Sequence, residues 1–125
     1  PVYGDGEQSR CFGHVADVVE GLTKLLDNPQ CFGQVINIGN NEEISINGLA
    51  KQAIALTSST SEIKYMTYDE VYGAGFEDMA RRVPSLEKAE RMIGYKPTRT
   101  LDDIINDVAA EFRSERPDSL QNAQA

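Results

Sequence analysis

Near the start of the chain, Tyr3-Gly4-Asp5-Gly6-Glu7-Gln8-Ser9-Arg10 sets two glycines ahead of an arginine, and a helical pattern follows from Val15. Glycines before a helix can cradle phosphate on free backbone N–H groups. The guanidinium of Arg10 is a planar fork matched to phosphate oxygens and stays charged at any cellular pH. Each feature also has a plainer explanation. Gly-Asp-Gly serves ordinary hairpins, where positive φ reverses the chain, and an arginine among 20 carboxylates can hold a surface salt bridge. Other chemistries have less to work with. Cys11 and Cys31 share one histidine, His14, whereas a structural zinc site takes four ligands. No metal site is expected, and both thiols read as free, with a disulfide between them as the alternative. Glu42-Glu43 reads as a solvated charge pair at a helix start, Asp17 as a helix cap, and Asn40-Asn41 as turn residues.

The frame for these residues is one domain. A chain of 125 residues can bury a genuine core, and 40% hydrophobic with 26% charged residues is ordinary globular composition. Twelve basic against twenty acidic residues leave a net charge of −8. That balance excludes a nucleic acid or an anionic membrane as the main partner, since both need a net basic face. No apolar run approaches the roughly 20 residues of a membrane span, and no basic segment leads an apolar one as in a secretion signal. Free thiols point to a reducing, cytoplasmic setting. The chain opens on Pro1 in what reads as mid-motif, as a fragment would.

Val15, Val18, Val19, Leu22, Leu25 and Leu26 recur with a 3.6-residue period, so Val15 to about Asp27 should be helical until Asn28-Pro29 stops it. Val35-Ile36-Asn37-Ile38, β-branched and bounded by glycines, reads as a buried strand. Ser45 can cap a helix with Ile46, Leu49, Ala50, Ala53 and Ile54 inward. Ile63 to Tyr68 has strand residues, and the stretch from Asp69 to Pro84 is irregular. Ser85 can cap a short helix that Gly94 ends, and Thr100 with Asp103 has capping-box form before a fourth helix. After Pro117 the sequence is a polar tail expected to be disordered. The expectation is an α/β chain of few strands and four helices, with one domain over residues 1–116 and a tail over 117–125.

Three stretches resemble, in order, the extended short-chain dehydrogenase/reductases that act on nucleotide sugars. Val2-Tyr3-Gly4-Asp5-Gly6-Glu7-Gln8-Ser9-Arg10-Cys11-Phe12, with Val15 and Asp17 in register, is similar to that family's V-Y-G-x-G-x-Q-x-R-x-F segment. "VINIGNNEEISI" is similar to its V-N-L-G-N-x-E-E strand and turn, and "RRVPSLEKAERMIGYKP" to its R-x-P-D-x-x-K-A closing segment. Ser85 stands where the family usually has Asp. The nearest patterns are those of UDP-glucuronate decarboxylases and UDP-glucose 4-epimerases.

The resemblance implies the C-terminal, substrate-binding part of such an enzyme, with the Rossmann half missing. Family members hold NAD on a glycine fingerprint and catalyse with a Tyr-x-x-x-Lys pair. Neither occurs here: there is no G-x-x-G-x-x-G, and none of Tyr3, Tyr65, Tyr68, Tyr72 and Tyr95 has a lysine four residues on. No catalytic or NAD-binding residue is therefore expected in this chain. By the same resemblance Arg10 grips the diphosphate of a UDP- or dTDP-sugar. Arg82 takes its other side, with Arg81 the alternative if the register slips, and Val2 and Tyr3 run along the base. The parent is implied to be a homodimer. A non-catalytic nucleotide-sugar-binding or interaction module that kept the fold is the rival expectation.

Overall fold

The computed structural model describes residues 1–76 and 78–115. The chain runs β1 (Val2–Tyr3), β2 (Ser9–Cys11), α1 (Val15–Leu26), β3 (Glu43–Ser45), α2 (Ile46–Thr57), β4 (Tyr65–Met66), α3 (Tyr68–Tyr72), α4 (Glu87–Ile93) and α5 (Leu101–Glu115), with a 3₁₀ turn at Pro29–Cys31. Among the described residues two short sheets result. β1 pairs parallel with β4, Val2 opposite Tyr65, and β2 pairs antiparallel with β3, Arg10 opposite Ile44. α1 packs on α4 and α2 on α5. The expected tail and the boundary at residue 116 lie outside the described residues.

Local chemistry places most of these ends. Ser45 Oγ accepts from Gly48 N–H and starts α2. Thr100 and Asp103 exchange the hydrogen bonds of a capping box at α5. Gly94 ends α4 in the left-handed conformation that suits glycine. Among the described residues five helices form rather than four. The addition is α3, in the stretch expected to be irregular, where Thr67 and Glu70 complete a capping box of their own.

Three expectations need correction. Val35 to Ile38 is not a paired strand: Ile36 and Ile38 pack on the core of Leu86, Ala89 and Tyr95, but Val35 is 87% exposed and no described strand bonds to this segment. Ser85 does not cap α4, whose N-cap is Leu86 without a side-chain bond. Asp17 caps nothing. It is buried at 2% exposure and ties α1 to the loop before α5. It accepts from Thr98 N–H, Thr98 Oγ1 and Arg99 N–H at 3.0 Å each, and from the Arg99 guanidinium at 2.5 Å. The α1 cap is His14, whose Nδ1 accepts from Ala16 N–H. α1 can approach the core closely because Gly21 is there, where a Cβ would meet the Tyr95 ring at 2.8 Å. Its apolar stripe looks outward, with Val15, Val19, Leu22 and Leu26 all exposed.

Candidate functional site

The Gly-Asp-Gly turn is occupied by protein, not shaped for phosphate. A Cβ at Gly4 would meet the Tyr68 ring at 2.7 Å and one at Gly6 would strike the Asn47 side chain. Asn47 N–H donates to the Gly6 carbonyl and Asn47 Nδ2 to the Asp5 carbonyl. These glycines, at φ 72° and 76°, let two neighbours approach the backbone and carry the chain into β2. They do not fit a dinucleotide cradle, which needs free N–H groups at a helix start.

Arg10 stands at the middle of β2, on a wall shared by two cavities. The first, about 350 Å³, is lined by Tyr3, Gln8, Tyr68, Tyr72, Phe76 and Asp78 with Pro1 and Ile46 at its edge. Its wall is aromatic: Tyr72 and Phe76 stack with centroids 4.4 Å apart and 28° between planes. Tyr3 meets Tyr72 edge-on at 5.9 Å. Aromatic faces of this kind stack on planar bases whatever their sequence identity. Tyr68, Tyr72 and Phe76 follow one another at four-residue intervals through α3 and the turn after it, so the first two share one helix face.

A continuous polar network runs beneath those rings. Gln8 Nε2 donates to the Tyr3 carbonyl and to the Tyr68 hydroxyl, both at 2.9 Å. The Tyr68 hydroxyl donates to Asp78 Oδ2 at 3.2 Å. Asp78 Oδ1 takes the Arg10 guanidinium at 2.6 Å and Met79 N–H at 2.8 Å. Burial first, and then the bond to Asp78 and its charge, push the Tyr68 phenol above its ordinary pKa, so it remains a donor. Gln8 Oε1 is buried and has no partner among the described residues. The Tyr3 carbonyl fixes this amide orientation, because only the NH₂ end can donate to it.

The second cavity, about 620 Å³, joins Arg10, Cys11 and Phe12 to Arg82, Val83 and Pro84, with Asn37, Ile38 and Asn40 opposite. Arg82 has no carboxylate partner among the described residues. Arg81 is engaged elsewhere: its Nε and NH2 reach Glu43 Oε1 and Oε2 at 2.9 and 2.6 Å, and Ser9 Oγ donates to Glu43 Oε1 at 2.6 Å. Those bonds hold the Glu43 carboxyl below the usual range and join residues 81–82 to β2, where Ser9 and Arg81 form a parallel bridge. Cys11 Sγ donates to the Arg82 carbonyl, and burial pushes its thiol up, away from reactivity. Both cysteines are free.

The structure thus brings Arg10 and Arg82 to one cavity and Arg10 and Tyr3 to another. Val2 lies outside both linings: the residue is 4% exposed, and its N–H donates to the Lys64 carbonyl. Tyr68, Tyr72, Phe76 and Asp78 went unread in the sequence. The available signals were the Thr-x-x-Glu cap ahead of them and the four-residue aromatic spacing. Among the described residues no group of acidic, cysteine and histidine side chains could hold a metal, and no helix is long and apolar enough to cross a membrane.

A small α/β unit with an arginine between two clefts is the class that fold and site define, and its architecture recurs in the nucleotide-sugar epimerases and dehydratases. Residues 1–108 match the family described as GDP-mannose 4,6 dehydratase, and the chain belongs to this family of extended short-chain dehydrogenase/reductases. It is 36% identical over 112 residues to UDP-N-acetyl-alpha-D-glucosaminuronate decarboxylase of Bacillus cytotoxicus, covering 90% of this chain and 35% of that protein. The dTDP-glucose 4,6-dehydratase of Bacillus anthracis, solved in complex with NAD, superposes with a TM-score of 0.79 at 24% identity, over 94% of this chain and 35% of that one. The UDP-glucuronic acid 4-epimerase of Bacillus cereus, solved with UDP-glucuronic acid and NAD, superposes with a TM-score of 0.75 at 24% identity, over 89% and 35%. The chain spans about a third of the length of the relatives it matches.

Proposed function

We propose that this chain is the nucleoside-diphosphate-sugar-binding part of an NAD-dependent nucleotide-sugar epimerase, dehydratase or decarboxylase, and that it turns nothing over alone. The observation that carries the reading is the place of Arg10, between an aromatic-walled cavity and a cavity it shares with Arg82. A uracil or thymine base would enter the first, against Tyr3, Tyr72 and Phe76, with Val2 serving only to anchor β1 from behind through its backbone bond to Lys64. The diphosphate would lie along Arg10 toward Arg82, where two guanidiniums offer forked donors to phosphate oxygens. Gripping the non-reacting nucleotide supplies binding energy remote from the chemistry and holds the sugar in register. NAD, when bound, supplies reversible oxidation of the sugar. No described residue here fits that cofactor, so NAD and the catalytic tyrosine are assigned to the rest of the parent. A cytoplasmic, homodimeric parent completes the reading, with two free thiols in support of a reducing compartment.

One observation favours the second reading, a module that kept the fold without the ligand: Arg10 is already paired, to Asp78. A ¹⁵N NMR titration with UDP, dTDP and ADP separates the two. Saturable shifts over Gly4–Arg10 and at Arg82 with UDP or dTDP, lost in Arg10→Ala, are expected. Failure of all three ligands to bind, both to the chain and to its full-length parent, would establish the module.

A further inference from the structure

We propose that Asp78 is a built-in stand-in for phosphate: its carboxylate occupies the donors that a nucleotide phosphate would take, and a ligand must displace it to reach Arg10. The inference rests on the reading of Arg10 as a ligand residue.

The donor set is the argument. Asp78 draws together a guanidinium N–H of Arg10, the hydroxyl of Tyr68 and the backbone N–H of Met79. Those donors come from β2, α3 and the stretch after it, and they converge on one carboxylate at the cavity wall. A charged fork, a hydroxyl and a main-chain N–H are the groups proteins use to hold phosphate oxygens. A carboxylate offers two of the oxygens that a phosphate would offer in the same place. The pair is partly open to water, the Arg10 and Asp78 side chains being 21% and 30% exposed. A pair of that kind is held weakly enough to exchange.

The rest of the network is consistent with exchange. Gln8 Oε1 lacks a donor while the one Tyr68 proton is committed to Asp78. The bonds that fix the Tyr68 ring, to Gln8 Nε2 and through it to the Tyr3 carbonyl, do not involve Asp78. Rotation of Asp78 away would therefore leave Arg10 and Tyr68 in place with open donors. It would also remove a negative charge from the path of an anionic ligand, which attraction at the ion pair and repulsion by the carboxylate both oppose.

Calorimetric titration of the chain with UDP and with inorganic pyrophosphate tests this, using Asp78→Asn and Tyr68→Phe. Asp78→Asn keeps size and an acceptor but loses the charge, and it should bind both ligands about fivefold more tightly, the upper range for a solvent-accessible pair. Tyr68→Phe removes one of the bonds that hold Asp78 and one donor for the phosphate, so its affinity should change by less than Asp78→Asn does. Tighter binding is a readout that a merely structural role does not produce. Unchanged or weaker binding by Asp78→Asn, with wild-type binding intact, would overturn the stand-in while leaving the site reading untouched. Binding of neither ligand to wild type or variant, in the chain and in its full-length parent alike, would overturn both.

Discussion

Two arginine–aspartate pairs, nearly equal in length, have opposite meanings in this molecule. Arg99–Asp17 closes at 2.5 Å and Arg10–Asp78 at 2.6 Å. Asp17 is buried, and four donors from residues 98 and 99 saturate its two oxygens. Asp78 is exposed, and its pair lies on the wall of a cavity that also holds an unsatisfied amide oxygen. Distance alone does not separate a girder from an exchangeable contact. Saturation and access to solvent do, because a buried carboxylate without its donors is costly, whereas an exposed one returns to water.

The largest expected effect is on the first pair. Asp17→Ala removes the buried acceptor shared by two backbone N–H groups, the Thr98 hydroxyl and the Arg99 guanidinium, and should destabilise the chain by about 2–3 kcal/mol in urea unfolding. A loss under about 1 kcal/mol would mean that the junction reorganises, and the contrast with Asp78 would collapse.

Next in size is the effect of Arg10→Ala on binding. A charge-assisted contact to phosphate is worth about 1.5–3 kcal/mol, so UDP affinity should fall at least tenfold by calorimetry while urea stability moves little. Equal losses of binding and stability would make Arg10 a second girder.

The pairs should also differ in acid. Burial tends to raise the Asp17 carboxyl, but the hydrogen bonds from Arg99 and Thr98 outweigh it and hold the pKa below its ordinary value. A depressed folded-state pKa contributes stability that is complete above the unfolded value, near pH 4, and is lost as pH falls through the folded one. Wild type should therefore lose thermal stability below about pH 4 more steeply than Asp17→Asn, by differential scanning calorimetry. Parallel acid profiles would remove Asp17 as the source of that slope.

The same contrast explains what the sequence disclosed. Period and caps made α1, α2, α4 and α5 legible, because Ser45, Thr100 and Gly94 act through neighbours in the chain. Arg10 and Arg82 were legible through motif resemblance. Asp17 was misread as a cap because its partners stand 81 and 82 residues away, beyond any local pattern. Val35 to Ile38 has the composition of a strand, yet a strand exists only where another offers its ladder, and none of those described does. The pocket aromatics were hidden differently. Tyr72 and Phe76 are half or nearly half exposed, and such positions carry no core periodicity to read.

The smallest effect sharpens the comparison most. Asp78→Ala removes a carboxylate that donates nothing and leaves Arg10 with its bond to the Ser9 carbonyl at 2.7 Å. Tyr68 keeps the bond from Gln8, and the freed guanidinium and phenol both border an open cavity that water can enter. Nothing buried is stranded, so stability should change by less than about 0.5 kcal/mol, the usual range for surface substitutions. The measurement is a urea midpoint alongside Asp17→Ala in the same buffer. A loss approaching that of Asp17 would show that the Arg10–Asp78 pair braces β2 against the 78–82 stretch, and that its openness to solvent is incidental. A near-zero change beside a large one for Asp17 would show that, of two ion pairs of nearly equal length, only the buried one braces the fold.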